Sequence, residues 1–345
     1  MKIVGCDLHT RYQQIALLDQ ETGELIERRL EHESGEARGF YAGLEGPVRV
    51  GIEATGHTRW FERMLAELGH ELWIGDAAQI RASVVRKQKT DARDAAHLLE
   101  LLLSERFPRI WRPTMAERDL RQLVWHRQKL VWMRNAVGNQ LHALAMGEGV
   151  CRKKKLFTKK GRAELESLGL GVWASYRRQE LLTMLDRLDA SLHELDRAVA
   201  EQAEQNAAAV LLMTHPGVGP VTSLAFVLTL GPVERFARSK QVVSYLGLNP
   251  REHSSGGRQR LGSISKQGNP MMRSLLVEAG HSAARLDHEL RQDYQRLKLR
   301  RGSGVAKVAI ARKLAVRMYW MLRGRASYAQ LVRMQGSPWA TLVKQ

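Results

Sequence analysis

Asp7, Glu53, Asp91 and Asp94 are the residues of this 345-residue sequence best placed to do chemistry, because each falls at the end of a short regular element where side chains can converge. Carboxylate oxygens are the ligands that hard divalent cations such as Mg2+ require, and two such ions can hold both the attacking and the leaving oxygen of a phosphodiester. Asp91 and Asp94, three apart at the start of the run Asp91-Ala-Arg-Asp-Ala-Ala-His-Leu-Leu-Glu100, share one helix face. Taken singly, Asp91 reads first as a helix cap and Glu53 as a solvated strand end, since caps and strand ends are common and metal ligands rare. Four acids in this order, in a chain of net charge +18, point instead to a metal centre acting on nucleic acid.

The elements that must position them can be read from hydrophobic periodicity. Lys2-Ile-Val-Gly-Cys-Asp7 and Gln14-Ile-Ala-Leu-Leu-Asp19 are apolar strands, and Pro47-Val-Arg-Val-Gly-Ile-Glu53 is a third, closed by the turn-forming Ala54-Thr-Gly56. With further strands near 25–31 and 71–75, and helical runs after Ser34, His57 and Asp91, residues 1–108 make an α/β domain. Residues 109–205 then turn helical. Leu120, Leu123, Leu130, Met133, Val137, Leu141 and Leu144 mark one apolar stripe, and Leu181, Leu185, Leu188, Leu192, Leu195 and Val199 a second. Two such stripes predict an antiparallel coiled-coil hairpin or an oligomerisation arm. Between them, residues 152–162 hold seven Lys/Arg in eleven positions, which reads as a mobile loop gripping phosphates or as a solvated linker. Residues 206–345 are again helical, opening with Pro216-Gly-Val-Gly219. There Gly217 and Gly219 suit either a helix-hairpin-helix phosphate contact or a plain helix connection.

Charge is unevenly placed. Residues 1–100 carry 13 Lys/Arg against 17 Asp/Glu, residues 101–250 carry 22 against 14, and residues 251–345 carry 19 against 5. Cationic surface supplies most sequence-independent affinity for DNA or RNA, so the binding surface belongs to the later two-thirds and the acidic site to the first. A 44% hydrophobic content supports folded cores and excludes a disordered tail. Cys6 and Cys151 form neither a disulfide framework nor a zinc-type spacing. With no signal-peptide apolar region and no run long enough to span a bilayer, the expectation is a soluble, cytoplasmic protein with no membrane partner.

The segment Leu246–Asn269 interleaves serine, glycine and cations with little apolar content. A serine attacking a phosphodiester needs an exposed hydroxyl, close backbone approach and cations to stabilise the charge that builds on phosphorus. Ser255, Gly256, Gly257, Arg258, Arg260 and Lys266 supply these groups, with Arg251 upstream. With no base for a serine visible, a phosphate-binding loop is the first reading of the composition, and Ser254, Ser255, Ser263 and Ser265 all qualify as a reacting group.

The ordered motifs Asp7, Ile52-Glu-Ala-Thr-Gly56, Lys89-Thr-Asp-Ala-Arg-Asp-Ala95, Pro216-Gly-Val-Gly219, Gly247-Leu-Asn-Pro-Arg251, Ser255-Gly256 and Ile264-Ser-Lys-Gln-Gly-Asn269 resemble those of the DEDD-type insertion-sequence transposases. These are relatives of Piv-type DNA invertases and are also called bridge-RNA-guided recombinases. The resemblance spans nearly the whole chain. It implies a RuvC-like RNase H fold, a coiled-coil insertion and a helical transposase domain. It implies that Asp7, Glu53, Asp91 and Asp94 bind Mg2+, that Ser255 is the nucleophile, and that the metal site comes from a neighbouring subunit of a homo-oligomer, a dimer or tetramer. Donor and target DNA, together with a non-coding bridge RNA, would be the partners. Gly257-Arg258 stands where the family often has further serines, and Ser254 is the alternative nucleophile. The implied activity is excision and insertion of a mobile element. A RuvC-like nuclease hydrolysing branched DNA and a non-catalytic nucleic-acid-binding regulator are the alternatives.

Overall fold

Alternation of apolar and small residues over the first 31 positions makes three strands: β1 (Lys2–Leu8), β2 (Tyr12–Asp19) and β3 (Leu25–Glu31). They are followed by α1 (Glu36–Ala42), β4 (Val48–Glu53), α2 (Arg59–Glu67), β5 (Glu71–Gly75), α3 (Ala77–Ser83) and α4 (Asp91–Leu103). The structure is a computed structural model that describes residues 1–84, 90–152, 154–252 and 260–333. The five strands form one mixed sheet in the order β3-β2-β1-β4-β5, antiparallel across β1, β2 and β3 and parallel across β1, β4 and β5. All five agree with the expected spans to within two residues. The short helix α3 is an addition. Asp76 caps it by accepting from the N–H groups of Ala78 and Gln79, both at 2.9 Å.

Period two divides the sheet's two faces. Val4, Cys6, Ile15, Leu17, Val50 and Ile52 are buried with Tyr41, Phe61 and Leu65 of α1 and α2. Ile3 and Ala16, on the other face, pack with Ala95, Leu98, Leu99 and Leu102 of α4. On that second face Gly5 and Gly51 stand side by side in register. A Cβ on Gly5 would lie 2.2 Å from the Ala95 carbonyl oxygen and 2.4 Å from the Leu99 nitrogen, and one on Gly51 would lie 2.7 Å from Leu102. The helix therefore rests on bare strand backbone. This compact unit runs through Arg112, beyond the expected boundary at 108. The reason is that the chain returns along β5, with Asp76 N–H donating to the Pro108 carbonyl at 2.9 Å and Ile110 N–H to that of Ile74 at 2.8 Å.

From Pro113 the chain forms a second compact unit in which the expected helical hairpin and C-terminal region share contacts. Helices α5 (Met115–Gly147) and α7 (Val172–Glu204) run antiparallel, tied by Arg127–Asp196 (2.7 Å) and Arg134–Asp189. The second apolar stripe is buried at Leu181, Leu185, Leu188, Leu192 and Val199. The first is less regular than expected. Met133 is 48% exposed, and Leu120 and Leu123 pack against the C-terminal core, where the start of α5 meets α9 (Pro220–Leu230) as well as α7.

The basic segment 152–162 is not the expected loop. Its described part enters α6 (Lys159–Glu166), Leu156 is fully buried in the hairpin core, and Phe157 packs at Gly138 and His142. Arg152 pairs with Glu164 at 2.7 Å and Arg162 with Glu166 and Asp186, so two of its cations are engaged inside the fold. After α8 (Ala207–Met213) and α9 come α10 (Ser239–Tyr245), a two-stranded ribbon of β6 (Pro250–Glu252) and β7 (Leu261–Ile264), α11 (Pro270–Leu286), α12 (His288–Gly324) and α13 (Tyr328–Arg333). Among the described residues no helix is long and apolar enough to cross a membrane.

In the C-terminal unit Arg317 is buried against Asp287 at 3.0 Å, and the Tyr328 hydroxyl donates to the same carboxylate. His215, 1% exposed, packs on the Tyr328 ring at 4.5 Å and donates from Nδ1 to the Pro216 carbonyl at 2.9 Å. Burial pushes its pKa down to about 4.

Two outcomes follow from these contacts. Gly5→Ala is expected to lower the denaturant midpoint by the equivalent of about 1–3 kcal/mol through overpacking against α4 backbone. Gly39→Ala, on an exposed helix position with open space around it, should leave the midpoint unchanged or raise it. For His215, the unfolded chain takes up a proton near its ordinary pKa of about 6.5 that the fold refuses until about 4, so stability falls as pH drops through that window. Urea unfolding should show a loss of at most about 3 kcal/mol across it that His215→Phe removes; an identical pH profile in the variant would contradict this.

Candidate active site

Residue parity on β1 explains why Asp7 joins the site. It shares the face of Ile3 and Gly5, beneath α4, and lies two residues beyond the point where α4 touches the strand. Thr90 caps α4, its hydroxyl accepting from Arg93 N–H, and the helix starts with Asp91 and Asp94 in its first turn. One turn separates Asp91 from Ala95, the residue seated on Gly5, so the contact that places the helix also carries its acidic end to Asp7.

The resulting cluster differs in membership from the four acids expected. One ligand atom each from Asp7, His9 and Asp91 lie within 4.8 Å of one another. His9 Nε2 is 3.0 Å from Asp7 Oδ2 and 3.5 Å from Asp91 Oδ2. Burial pushes the Asp7 carboxyl above its ordinary value; His9 opposes the shift, and Asp94 and Asp91 add to it. Asp94 thus belongs electrostatically to the group. Glu53 sits beside Asp7 at the end of the parallel β1–β4 pair, but its carboxylate meets Arg81 of α3 at 3.4 Å. That pair is exposed, which makes it weak.

Sequence reasoning passed over His9 and Tyr12. The two face each other across the β1–β2 hairpin, where His9 N–H donates to the Tyr12 carbonyl at 3.0 Å. Their rings stack at 4.6 Å, the Tyr12 hydroxyl donates to Asp91 at 2.9 Å, and the Arg29 guanidinium lies 3.8 Å from the Tyr12 ring centre. The available signal was the Asp-x-His spacing followed by a hairpin. Two carboxylates and an imidazole converging from two chain segments, the end of β1 and the start of α4, with a third carboxylate raising the charge density, form a donor set that fits a divalent cation.

Ser254, Ser255, Gly256, Gly257 and Arg258 lie outside the described residues, but the frame that carries them is described. Gly247 (φ 65°) and Gly268 (φ 71°) interlock: a Cβ on either would fall 2.0 Å from the Gln267 carbonyl oxygen or 2.2 Å from that of Tyr245. Ser265 N–H donates to the Asn249 carbonyl at 2.8 Å, and its hydroxyl to the Asn249 side chain at 2.9 Å. Asn269 then caps α11. The motifs on either side of the serines are thus a clasp that holds the ribbon β6–β7. Ser265 is occupied within it, while Arg251, Arg260 and Lys266 are exposed on or beside it. Gly217 (φ 85°) has a packing role, since a Cβ there would lie 2.4 Å from the Ala283 nitrogen. Gly219, just before α9, is exposed with open space around it. A further cationic surface escaped the sequence reading: Lys298, Arg300 and Arg301 are all exposed just before Gly302, where α12 kinks at φ 81°.

A mixed sheet with acids at the end of its parallel centre, and an acidic helix turn laid over them, suits the class of enzyme that places a divalent ion against phosphate. Comparison with known proteins narrows the class. Residues 4–147 match the IS110-type DEDD transposase family and residues 209–295 the family described as Transposase IS116/IS110/IS902. A probable family 20 transposase of Pseudomonas aeruginosa is 29% identical over 93% of this chain and 96% of its own length. The transposase for insertion sequence element IS1111A of Coxiella burnetii is 27% identical over 95% of this chain and 91% of its own. A pilin gene-inverting protein of Moraxella lacunata is 31% identical over 34% of this chain and 36% of its own. The chain belongs to the IS110/IS116 family of transposases, enzymes that cleave DNA and transfer its strands.

Because Asp7 is held ionised at a cost in a crowded acidic site, Asp7→Asn is expected to abolish strand cleavage while leaving metal-free thermal stability equal to or slightly above that of the parent chain. A clear drop in the melting temperature would show that Asp7 has a structural role.

Proposed function

We propose that the chain is an RNA-guided, site-specific DNA recombinase that excises and inserts a mobile element through a serine–DNA intermediate, and that its first unit is a RuvC-like RNase H fold. The observation that carries the proposal is the seating of α4 on Gly5, which delivers Asp91 to Asp7. Asp7, Glu53, Asp91 and Asp94 are assigned to Mg2+. Glu53 joins by giving up its exposed pair with Arg81. When bound, the ion supplies Lewis-acid stabilisation of charge on the phosphate oxygens.

Ser255 is assigned as the nucleophile. Its hydroxyl oxygen bonds to phosphorus as one bridging P–O bond breaks, and the departing strand leaves as an alcohol carrying the proton that Ser255 loses. The reverse step, attack of a strand hydroxyl on the seryl phosphodiester, reseals DNA and frees the serine. Bond energy is conserved, so no external energy source is needed. Arg251, Arg260 and Lys266 on the ribbon, with Arg258, neutralise the phosphate during attack. Gly219 offers backbone to a further phosphate, as the sequence motif suggests for Gly217 too. The cationic second unit holds donor and target DNA and a non-coding bridge RNA. A homo-oligomer, dimer or tetramer, allows one subunit's carboxylates to act with another's serine.

The serine assignment is tested by incubating the protein with its element's flanking RNA, supercoiled DNA and Mg2+, then denaturing and digesting the DNA. A covalent protein–DNA adduct is expected from the parent chain and none from Ser255→Ala. Cleavage without adduct in both would establish hydrolysis by the carboxylates alone.

A further inference from the structure

We infer that His9 is a direct ligand of the divalent ion, giving the site a nitrogen donor among its carboxylates and a preference for Mn2+ over Mg2+. The inference rests on the metal-centre reading above and adds a residue to it. The carboxylates alone would make an all-oxygen site, the kind hard Mg2+ favours. His9 changes the donor chemistry, because imidazole nitrogen strengthens binding of first-row transition ions more than that of Mg2+.

Three observations separate a ligand from a bystander. His9 Nε2 is the atom turned into the cluster, at 3.0 Å from Asp7 and 3.5 Å from Asp91, so a single ring nitrogen addresses both carboxylates. The ring is held there: it stacks at 4.6 Å and 28° on Tyr12, and Tyr12 is itself fixed by its 2.9 Å hydrogen bond to Asp91 and by Arg29 at 3.8 Å from its ring centre. Finally, His9 and Tyr12 are set opposite each other by the backbone bond that closes the hairpin, so the ring's position comes from the fold rather than from a flexible side chain alone. Tyr12 is a positioning residue in this arrangement. It orients one carboxylate ligand through its hydroxyl and the imidazole ligand through its ring, as groups behind metal ligands commonly do.

Pulsed electron paramagnetic resonance of the full-length protein loaded with Mn2+ tests this without requiring turnover. A directly bound imidazole gives nitrogen modulation of the Mn2+ echo, and protein grown with 15N-histidine should change that pattern. In His9→Ala the modulation should vanish, and the ratio of Mn2+ to Mg2+ affinity measured by competition should fall by about tenfold, roughly one nitrogen contact. Tyr12→Phe should keep the modulation while weakening Mn2+ binding. Mn2+ that binds the parent chain, is lost in Asp7→Asn, and shows no histidine nitrogen would overturn the His9 assignment and leave the carboxylate centre standing. Failure of Mn2+ and Mg2+ to bind the parent chain at all would overturn the metal-centre reading, and His9 with it.

Discussion

The close approach of α4 to the backbone of β1 at Gly5 is the contact on which the site depends. Carboxylates repel one another, and although His9 and Tyr12 of the hairpin contact them, burial and neighbouring acids leave Asp7 above its ordinary pKa. Packing holds them together. The buried face of α4, with Ala95, Leu98, Leu99 and Leu102 against Ile3, Ala16 and Phe107, removes enough apolar surface from water to fix the helix, and its acidic first turn follows. The glycines at 5 and 51 lower the floor on which it rests.

The second unit solves a different problem, which is to hold a polar, cationic ribbon at a defined place on a helical core. Gly247 and Gly268 allow two backbone segments to interlock, Asn249 and Ser265 tie them, and Asn269 converts the return strand into α11. Separating an acidic unit from a cationic one also suits the chemistry, since the cations attract the DNA backbone while the acids await a metal.

Much of this was legible in the chain. The five strands follow from period-two burial, and of the four acids read at strand and helix ends Asp7 and Asp91 come together, with His9. Other features were hidden for physical reasons. Met133 fits the apolar stripe by spacing, yet it is exposed. The basic run 152–162 looks mobile by composition, but Leu156 and Phe157 anchor it and Arg162 finds Asp186 on α7, a pairing between two surface charges that spacing along the chain does not reveal. His9 and Tyr12 escaped because a hairpin makes neighbours of residues whose separate identities are ordinary. Gly217 suited either a phosphate contact or a plain helix connection by sequence, and its contact with α11 by itself requires glycine.

The central claim is that the carboxylate centre and the serine act on one phosphate. Replacing a single non-bridging oxygen of the scissile phosphate with sulfur, in each stereochemical form, tests it most directly, because sulfur binds Mg2+ poorly and softer ions well. Strand cleavage of one form should be slow in Mg2+ and recover when Mn2+ or Cd2+ is added. Equal cleavage of both forms in Mg2+, with no change on adding the softer ion, would contradict contact between that phosphate and the metal held by Asp7 and Asp91.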